Sequence, residues 1–138
     1  MPFDSDMPTS PLVSLIHRKQ SAYLNKELKD VDLSYGLYPL LIKVYRLKEV
    51  SQEDLAKLLH VNESTVTRNL EKLEKKGLII KTPEKRKKII SVTEKGAKTA
   101  QKIMDYDEEW DEIIKRSLTK NEYDDFKNLL IKICEDLI

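Results

Sequence analysis

One segment, residues 51–93, constrains this chain more than any other, because its helix, turn and strand signals follow one another without a gap. Ser51 is a favourable N-cap, and the acidic residues that follow it suit the positive end of a helix dipole. After a short turn, Asn62 provides the N-cap of a second helix, and Gly77 ends that helix where a left-handed backbone is favoured. The segment therefore predicts two helices joined by a tight turn.

Two β-prone runs follow the second helix, at residues 78–80 and 89–92. The loop between them, residues 81–88, reads KTPEKRKK, so the two runs are predicted to form a hairpin with a basic tip. Helix, turn, helix and basic hairpin in this order predict a winged helix-turn-helix, which places one helix in the DNA major groove and a basic loop beside it. The expected fold is mainly α with a small β-hairpin.

The second helix of the segment has two different faces. Val66, Leu70 and Leu73 share one face and should pack inward. The opposite face carries small hydroxyl residues that can bond phosphates or base edges, and Arg68, which can pair with guanine through two hydrogen bonds. In the hairpin tip, Arg86 suits the narrow minor groove. The predicted DNA contacts are Ser51, Gln52, Asn62, Ser64, Thr65, Thr67, Arg68, Lys72, Lys85, Arg86 and Lys87.

The distribution of charge along the chain distinguishes DNA binding from less specific explanations of the polar helix face and the basic hairpin. A polar helix face can simply be solvated, and lysines can keep an edge hairpin soluble. Residues 62–95, however, hold ten basic and five acidic residues, whereas residues 105–138 hold five basic and eleven acidic, in a chain of net charge +1. This basic centre favours DNA binding over the alternative function, a winged-helix adaptor that binds other proteins.

The flanking residues predict helices that associate with a second copy. Helices are expected from about residue 10 to 30, from an N-cap at Ser34 to about residue 47 with Pro39 disturbing its start, from 94 to about 117, and through a last helix with a Thr119 and Glu122 capping box. Their apolar residues exceed what a thin winged lobe can cover. The predicted dimer-interface residues are Leu12, Ile16, Tyr106, Trp110, Phe126, Leu130, Ile133 and Leu137.

The predicted organisation is an N-terminal arm, residues 1–9, and a single domain, residues 10–138. Within that domain, residues 34–93 form the winged lobe, and residues 10–33 and 94–138 form the dimerisation helices. The single cysteine, Cys134, sits among apolar residues and is expected to be a buried, inert thiol. Without a disulfide pair, a signal core or a membrane-spanning run, the sequence predicts a cytoplasmic protein.

No motif in the sequence indicates an enzyme active site or a metal site. No Gly-rich phosphate loop, Ser-His-Asp set or spaced pair of catalytic carboxylates appears, and the acidic string at residues 105–112 reads as a solvated helix face. His17 and His60 are far apart in sequence, so no metal site is expected. The sequence predicts neither enzymatic activity nor a cofactor.

The residues resemble the MarR family of transcription regulators. The matching pieces are SQEDLAKLLHVNESTVTRNLEKLEKKGLI and SVTEKGAK, and the resemblance is strong over about residues 33 to 100. It implies a homodimer that binds palindromic operators, usually as a repressor, with Ser64, Thr65, Thr67 and Arg68 toward the major groove and Arg86 in the minor groove. Glu84 departs from the family, which usually has an Asp there that braces the wing arginine.

Many members of this family release DNA when a small aromatic or phenolic acid binds between the dimer region and the DNA-binding lobe. The resemblance therefore suggests an effector cleft, which His17, Tyr35 and Tyr38 could line. The alternative, that these three residues only pack the first two helices together, stays open at the level of sequence.

Overall fold

The computed structural model describes residues 3–31 and 33–138, without the side chain of Tyr35. Its elements form a mainly helical fold with one small sheet, as the sequence predicts. In chain order they are α1 (Thr9–Glu27), a short 3-10 turn (Tyr35–Leu37), α2 (Tyr38–Leu47), β1 (Val50–Ser51), α3 (Gln52–Leu59), α4 (Glu63–Lys75), β2 (Ile79–Glu84), β3 (Lys87–Val92), α5 (Glu94–Lys115) and α6 (Lys120–Leu137).

The sheet is larger than the predicted hairpin. Its three antiparallel strands lie in the order β1-β3-β2, and β1 is too short to give a sequence signal of its own. The predicted loop at residues 81–88 is wrong, because the ladder continues through these residues to the pair Glu84 and Lys87. Only Lys85 and Arg86 form the turn, and Pro83 is tolerated because β2 is an edge strand.

The predicted start of α2 at Ser34 is also wrong. The amide of Leu37 donates to the carbonyl of Ser34 at 3.0 Å, which closes a 3-10 turn before the α-helix begins at Tyr38. Pro39 therefore stands in the first turn of α2, where its missing N–H costs no helical hydrogen bond. The expected disturbance at Pro39 is avoided by a later helix start.

The predicted helix caps are confirmed. The side chains of Ser51, Asn62 and Thr93 accept hydrogen bonds from the amides of residues 54, 65 and 96, at 3.1, 2.8 and 3.0 Å. Thr119 and Glu122 form the reciprocal capping box. Gly77 ends α4 with φ +74°, the left-handed conformation predicted for it. These bonds fix where α3, α4, α5 and α6 begin.

One core joins the winged lobe to α1 and α5. Leu41 of α2, Leu55 of α3, Leu70 of α4, Ile90 of β3 and Ile103 of α5 are all fully buried in it. The hairpin of β2 and β3, with its turn, is called the wing. Because α4 and the wing both pack on this core, their relative position is fixed.

The last helix, α6, contributes no buried residue to this core. The prediction that Cys134 is buried is therefore wrong for the single chain, in which this thiol is exposed. The reason is that residues 127–137 of α6 are all exposed, since nothing else in the described chain covers this end of the helix.

Candidate nucleic-acid interface

Helix α4 separates an apolar face from a polar face, as its sequence pattern predicts. Val66, Leu70 and Leu73 are at most 1% exposed and anchor the helix in the core. Ser64, Arg68 and Lys72 are exposed on the other side. The helix thus presents a polar surface whose position is set by its buried face.

The polar side chains at the start of α4 are held in place by contacts with one another and with the backbone. The Oδ1 of Asn62 accepts from the Thr65 amide and from the Ser64 hydroxyl, both at 2.8 Å. The guanidinium of Arg68 lies 3.4 Å from the Thr65 hydroxyl, a long contact that leaves most of its five N–H donors available. Asn62 therefore acts as a cap within the described structure, whereas most of the Arg68 donors are not used by this contact.

Gln52 and Thr67 are joined to each other. The Nε2 of Gln52 donates to the Thr67 hydroxyl at 2.7 Å, and that hydroxyl donates to the carbonyl of Glu63 at 2.8 Å. The Oε1 of Gln52 is buried and has no partner among the described residues. Sequence reasoning placed both residues at the interface but could not show this bond, because their side chains meet only when α3 packs on α4.

The wing turn lies beside the starts of α3 and α4. A concave surface of about 320 Å³ is lined by Ser51, Gln52, Glu53, Glu63, Arg86, Lys87 and Lys88. Lys85 and Arg86 are both exposed at the tip, and Lys85 has φ +55°. Ser51 is only 8% exposed and caps α3, so its side chain serves the fold. The wing turn and the start of α4, at Glu63, therefore border the same concave surface.

Glu84 does not hold Arg86 in this structure. Within residues 3–31 and 33–138, no hydrogen bond or ion pair joins the two side chains. Glu84 is instead the register partner of Lys87, the last pair before the turn. The Arg86 side chain is thus not braced by the acid that precedes the turn.

A second cavity, of about 360 Å³, lies between α1, α2 and α5 and is called here the Tyr38 cavity. It is lined by Gln20, Leu24, Tyr38, Pro39, Ile42, Lys43, Arg46, Leu59 and Asp107. Burial raises the pKa of Tyr38, and burial together with the charge of Asp111 raises the pKa of Asp107 against the opposing effect of Arg46. The cavity thus combines an apolar wall with two cations and a carboxylate.

Of the three predicted effector residues, one lines this cavity. Tyr38 does so, whereas the side chain of Tyr35 lies outside the described residues. His17 is exposed and does not line the cavity, whereas Gln20, three residues later on α1, does. Gln20 and Arg46 line the cavity as well, although neither was identified from the sequence.

The predicted dimer residues fall into two groups. Leu12, Tyr106, Trp110 and Phe126 are half-buried within the chain itself. Trp110 packs on Tyr23 with ring centroids 5.7 Å apart, and burial plus a hydrogen bond to Glu109 raises the pKa of Tyr23 to about 12. The second group stays exposed: Ile16 at 42%, Leu130 at 43%, Ile133 at 54% and Leu137 at 77%.

No helix in the described part of the chain is long and apolar enough to cross a membrane. Within the same residues, no three His, Cys, Asp or Glu side chains gather in a way that could hold a metal ion.

Known proteins resemble this chain along most of its length. The MarR family model matches residues 33–88. The chain is 30% identical over 128 residues to the HTH-type transcriptional regulator YybA of Bacillus subtilis, covering 91% of this chain and 85% of that protein. It is 31% identical to the HTH-type transcriptional regulator BilQ of Clostridium symbiosum, covering 80% of this chain and 79% of that protein.

Solved structures agree with these relatives. A MarR family transcriptional regulator from Listeria monocytogenes, crystallised with a 26mer DNA, superposes with a TM-score of 0.81 at 26% identity, covering 95% of this chain and 89% of that one. A MarR transcriptional regulator from Methanosarcina mazei gives a TM-score of 0.81 at 25% identity, covering 97% and 91%. The chain therefore belongs to the MarR family and is a DNA-binding transcription regulator, not an enzyme.

Proposed function

We propose that the protein is a cytoplasmic homodimeric repressor that binds palindromic operators and releases them when a small aromatic acid occupies the Tyr38 cavity. The observation that carries this proposal is that the wing turn and the start of α4 border one concave surface, and that the exposed face of α4, with Ser64, Arg68 and Lys72, follows from that start. Such a surface can meet the major groove with a helix and the neighbouring minor groove with a basic turn.

On this surface Arg68 is the best candidate for reading a base. It is exposed, it stands one turn after Ser64, and its guanidinium makes only the long contact to Thr65. Arg86 at the wing tip is the candidate for the minor groove. Lys72 and Lys87 are exposed near these two arginines and would supply contacts to phosphates, which add affinity without sequence preference.

Dimerisation is supported by an apolar surface that one chain leaves uncovered. We define the C-terminal apolar face by its exposed members, Leu129, Leu130, Ile131, Ile133, Leu137 and Ile138, each at least 43% exposed. Val13 and Ile16 of α1 are exposed as well. A second copy of the chain is the occupant we propose, because a two-fold axis would set two α4 helices about one DNA turn, roughly 34 Å, apart.

Effector release is supported by the chemistry of the Tyr38 cavity. Leu24, Ile42 and Leu59 give it an apolar wall for a ring, and Arg46 and Lys43 give it cations for a carboxylate. Tyr38 and Asp107 add polar groups that would fix the orientation of the ligand. The cavity lies where α2 of the winged lobe meets α1 and α5, so a ligand there would act on the angle between the lobe and the dimer helices.

The decisive experiment is selection of bound sites from random DNA, followed by affinity measurements on the selected operator. We expect a palindrome whose half-sites are one helical turn apart. Arg68→Ala should cost about 1–3 kcal/mol on this operator and relax the preference at one position, whereas Arg116→Ala, an exposed arginine at the end of α5, should not. Selection of non-palindromic DNA, or an unchanged base preference in the Arg68 variant, would contradict the proposal.

The repressor and effector roles need a second experiment, a reporter gene placed behind the selected operator. Expression should rise when the protein is deleted and when salicylate is added as a representative aromatic acid. Arg46→Gln should lose the response to salicylate but keep operator affinity, and Arg18→Gln, exposed on α1, is the matched control. Expression that falls on deletion would instead identify an activator.

A further inference from the structure

A lysine-rich cavity lies away from both sites described above. It has a volume of about 350 Å³ and is formed where the end of α4, the first turns of α5 and residues 30–31 after α1 meet. Its lining residues are Asp30, Val31, Lys76, Leu78, Lys95, Lys98, Thr99 and Lys102. Four of these are lysines and one is an acid, so the lining itself holds more basic than acidic side chains.

Lys95, Lys98 and Lys102 make contacts that hold their side chains in place. The Nζ of Lys95 donates to the carbonyl of Lys76 at 3.0 Å, and that of Lys98 lies 3.4 Å from a carboxylate oxygen of Glu94. Lys102 pairs with Asp30 at 2.6 Å. An ammonium group has three N–H donors, and each of these contacts uses one. The three side chains therefore keep donors that can reach into the cavity.

The carboxylate in the cavity neutralises only part of this charge. The hydrogen bond from Lys102 holds the pKa of Asp30 below its usual value, so Asp30 stays ionised and bound to that one lysine. Glu94 and Lys98 form an i,i+4 pair in which both side chains are mostly exposed, a kind of pair that is weak in water. Lys95 and Lys98 thus remain available to a stronger anion.

We propose that this lysine-rich cavity binds a small anion carrying two or more phosphate groups. Its volume lies at the lower end of the range for small-molecule sites, about 300–1,000 Å³, and lysine binds phosphate as a point charge. The cavity shares no lining residue with the Tyr38 cavity, so it would be a second and separate ligand site.

The phosphates of operator DNA are a poorer occupant. The polar surface that faces DNA is at the start of α4, near Glu63, whereas the cavity is at its end, near Lys76. Thirteen residues of helix separate these two ends by roughly 20 Å. An anion in the cavity would instead bridge the chain after α1 to α5, and so would stiffen the link between the winged lobe and the dimer helices.

Calorimetric titration with sodium pyrophosphate at constant ionic strength tests the proposal. We expect saturable binding that Lys98→Gln weakens about fivefold, the effect of one partly exposed charge pair. Lys57→Gln is the matched control, because Lys57 also forms an exposed i,i+4 pair, with Glu53 at 3.5 Å. Asp30→Asn should tighten binding, since it releases Lys102.

Three results would overturn the inference. They are the absence of saturable binding, an equal loss of affinity in the Lys57 and Lys98 variants, and weaker binding in the Asp30 variant. Operator affinity measured against salt separates the two sources of phosphate. Lys98→Gln should leave the salt slope of DNA binding unchanged, and a slope reduced by about one would show that this lysine contacts DNA instead.

Discussion

The Nε2 of Gln52 donates a 2.7 Å hydrogen bond to the hydroxyl of Thr67, which ties the start of α3 to α4, the helix that we propose faces DNA. Because the same hydroxyl donates to the carbonyl of Glu63 at 2.8 Å, its only proton is already committed inside the fold. The methyl group of Thr67 is then the part of this half-exposed side chain best suited to meet DNA. Among the bases, thymine offers a methyl group for such an apolar contact.

We therefore expect the methyl group of Thr67, rather than its hydroxyl, to contribute to operator binding. Thr67→Ser should weaken binding by about 0.8 kcal/mol, or about fourfold, the value of one buried methyl group. Thr67→Val loses the bond to Gln52 but keeps the methyl group, and should bind more tightly than Thr67→Ser. Fluorescence anisotropy on operators with single thymines replaced by deoxyuridine gives the check. One such replacement should weaken the wild type and the Val variant but not the Ser variant. Equal affinities throughout would contradict this role.

The wing turn stores backbone strain at Lys85. This residue has φ +55°, and a non-glycine residue in the left-handed region costs about 1–2 kcal/mol. Lys85→Gly should therefore raise the free energy of unfolding by about 1 kcal/mol in urea denaturation. Arg86, the other turn residue, does not have a positive φ, so Arg86→Gly is the matched control and should give no gain. A loss of stability in the Lys85 variant would argue against a strained turn.

Gly96, in the first turn of α5, packs against the backbone of Leu78. A Cβ added to Gly96 would overlap the carbonyl oxygen of Leu78, which cannot move freely because it accepts the amide of Thr93 at 3.0 Å. Gly96→Ala should cost about 1–3 kcal/mol, the usual effect of overpacking. In the control, Gly36→Ala, the new methyl group would meet nothing within 4 Å. Thermal melts of the two variants should differ clearly, and similar melting temperatures would refute the close approach.

A charge on the C-terminal apolar face should prevent dimerisation. Ile133→Glu places a carboxylate on a residue that is 54% exposed in one chain and, in our proposal, covered by a partner. Sedimentation at micromolar concentration should show monomers for this variant and dimers for the wild type. Ile80→Glu is the control, since Ile80 is similarly exposed, at 49%, but lies on β2. A dimeric Ile133 variant would place the interface elsewhere.

Asp107 should make the protein less stable as the pH rises. Burial, helped by the charge of Asp111, raises its folded pKa above the usual 3.8. A raised folded pKa means that the stability contributed by the protonated group is complete below pH 3.8 and is lost as the pH passes the folded pKa. Asp107→Asn should therefore melt at a higher temperature than the wild type at pH 7, and the difference should vanish below pH 3.8.

The control for this pH dependence is Asp105→Asn, an exposed position two residues earlier on α5. Its melting temperature should follow that of the wild type across the same pH range. A difference between the Asp107 variant and the wild type that stays constant from pH 3 to pH 7 would rule out the ionisation of this carboxyl as the cause.

Local sequence signals predicted much of the fold correctly. Ser51, Asn62, Thr93 and Thr119 were identified as caps because each cap bond joins residues only three apart in the chain. The inward face of α4 could also be predicted from local sequence, since the helical repeat alone brings Val66, Leu70 and Leu73 together. The predicted hairpin had the correct order but a loop that was too long, because strand pairing depends on a partner strand and not on local preference.

The sequence by itself thus determined the order of the helices and of the two hairpin strands, the caps that start α3 to α6, the family, and the basic centre that a DNA-binding regulator needs. Only the tertiary structure decided that Gln52 restrains Thr67, that Gly96 touches Leu78, and that Asp30 meets Lys102 across 72 positions of the chain. The physical reason is the separation along the chain between the residues that meet. Caps and helical faces depend on neighbours within one or two turns, whereas these contacts exist only after whole elements have packed against one another.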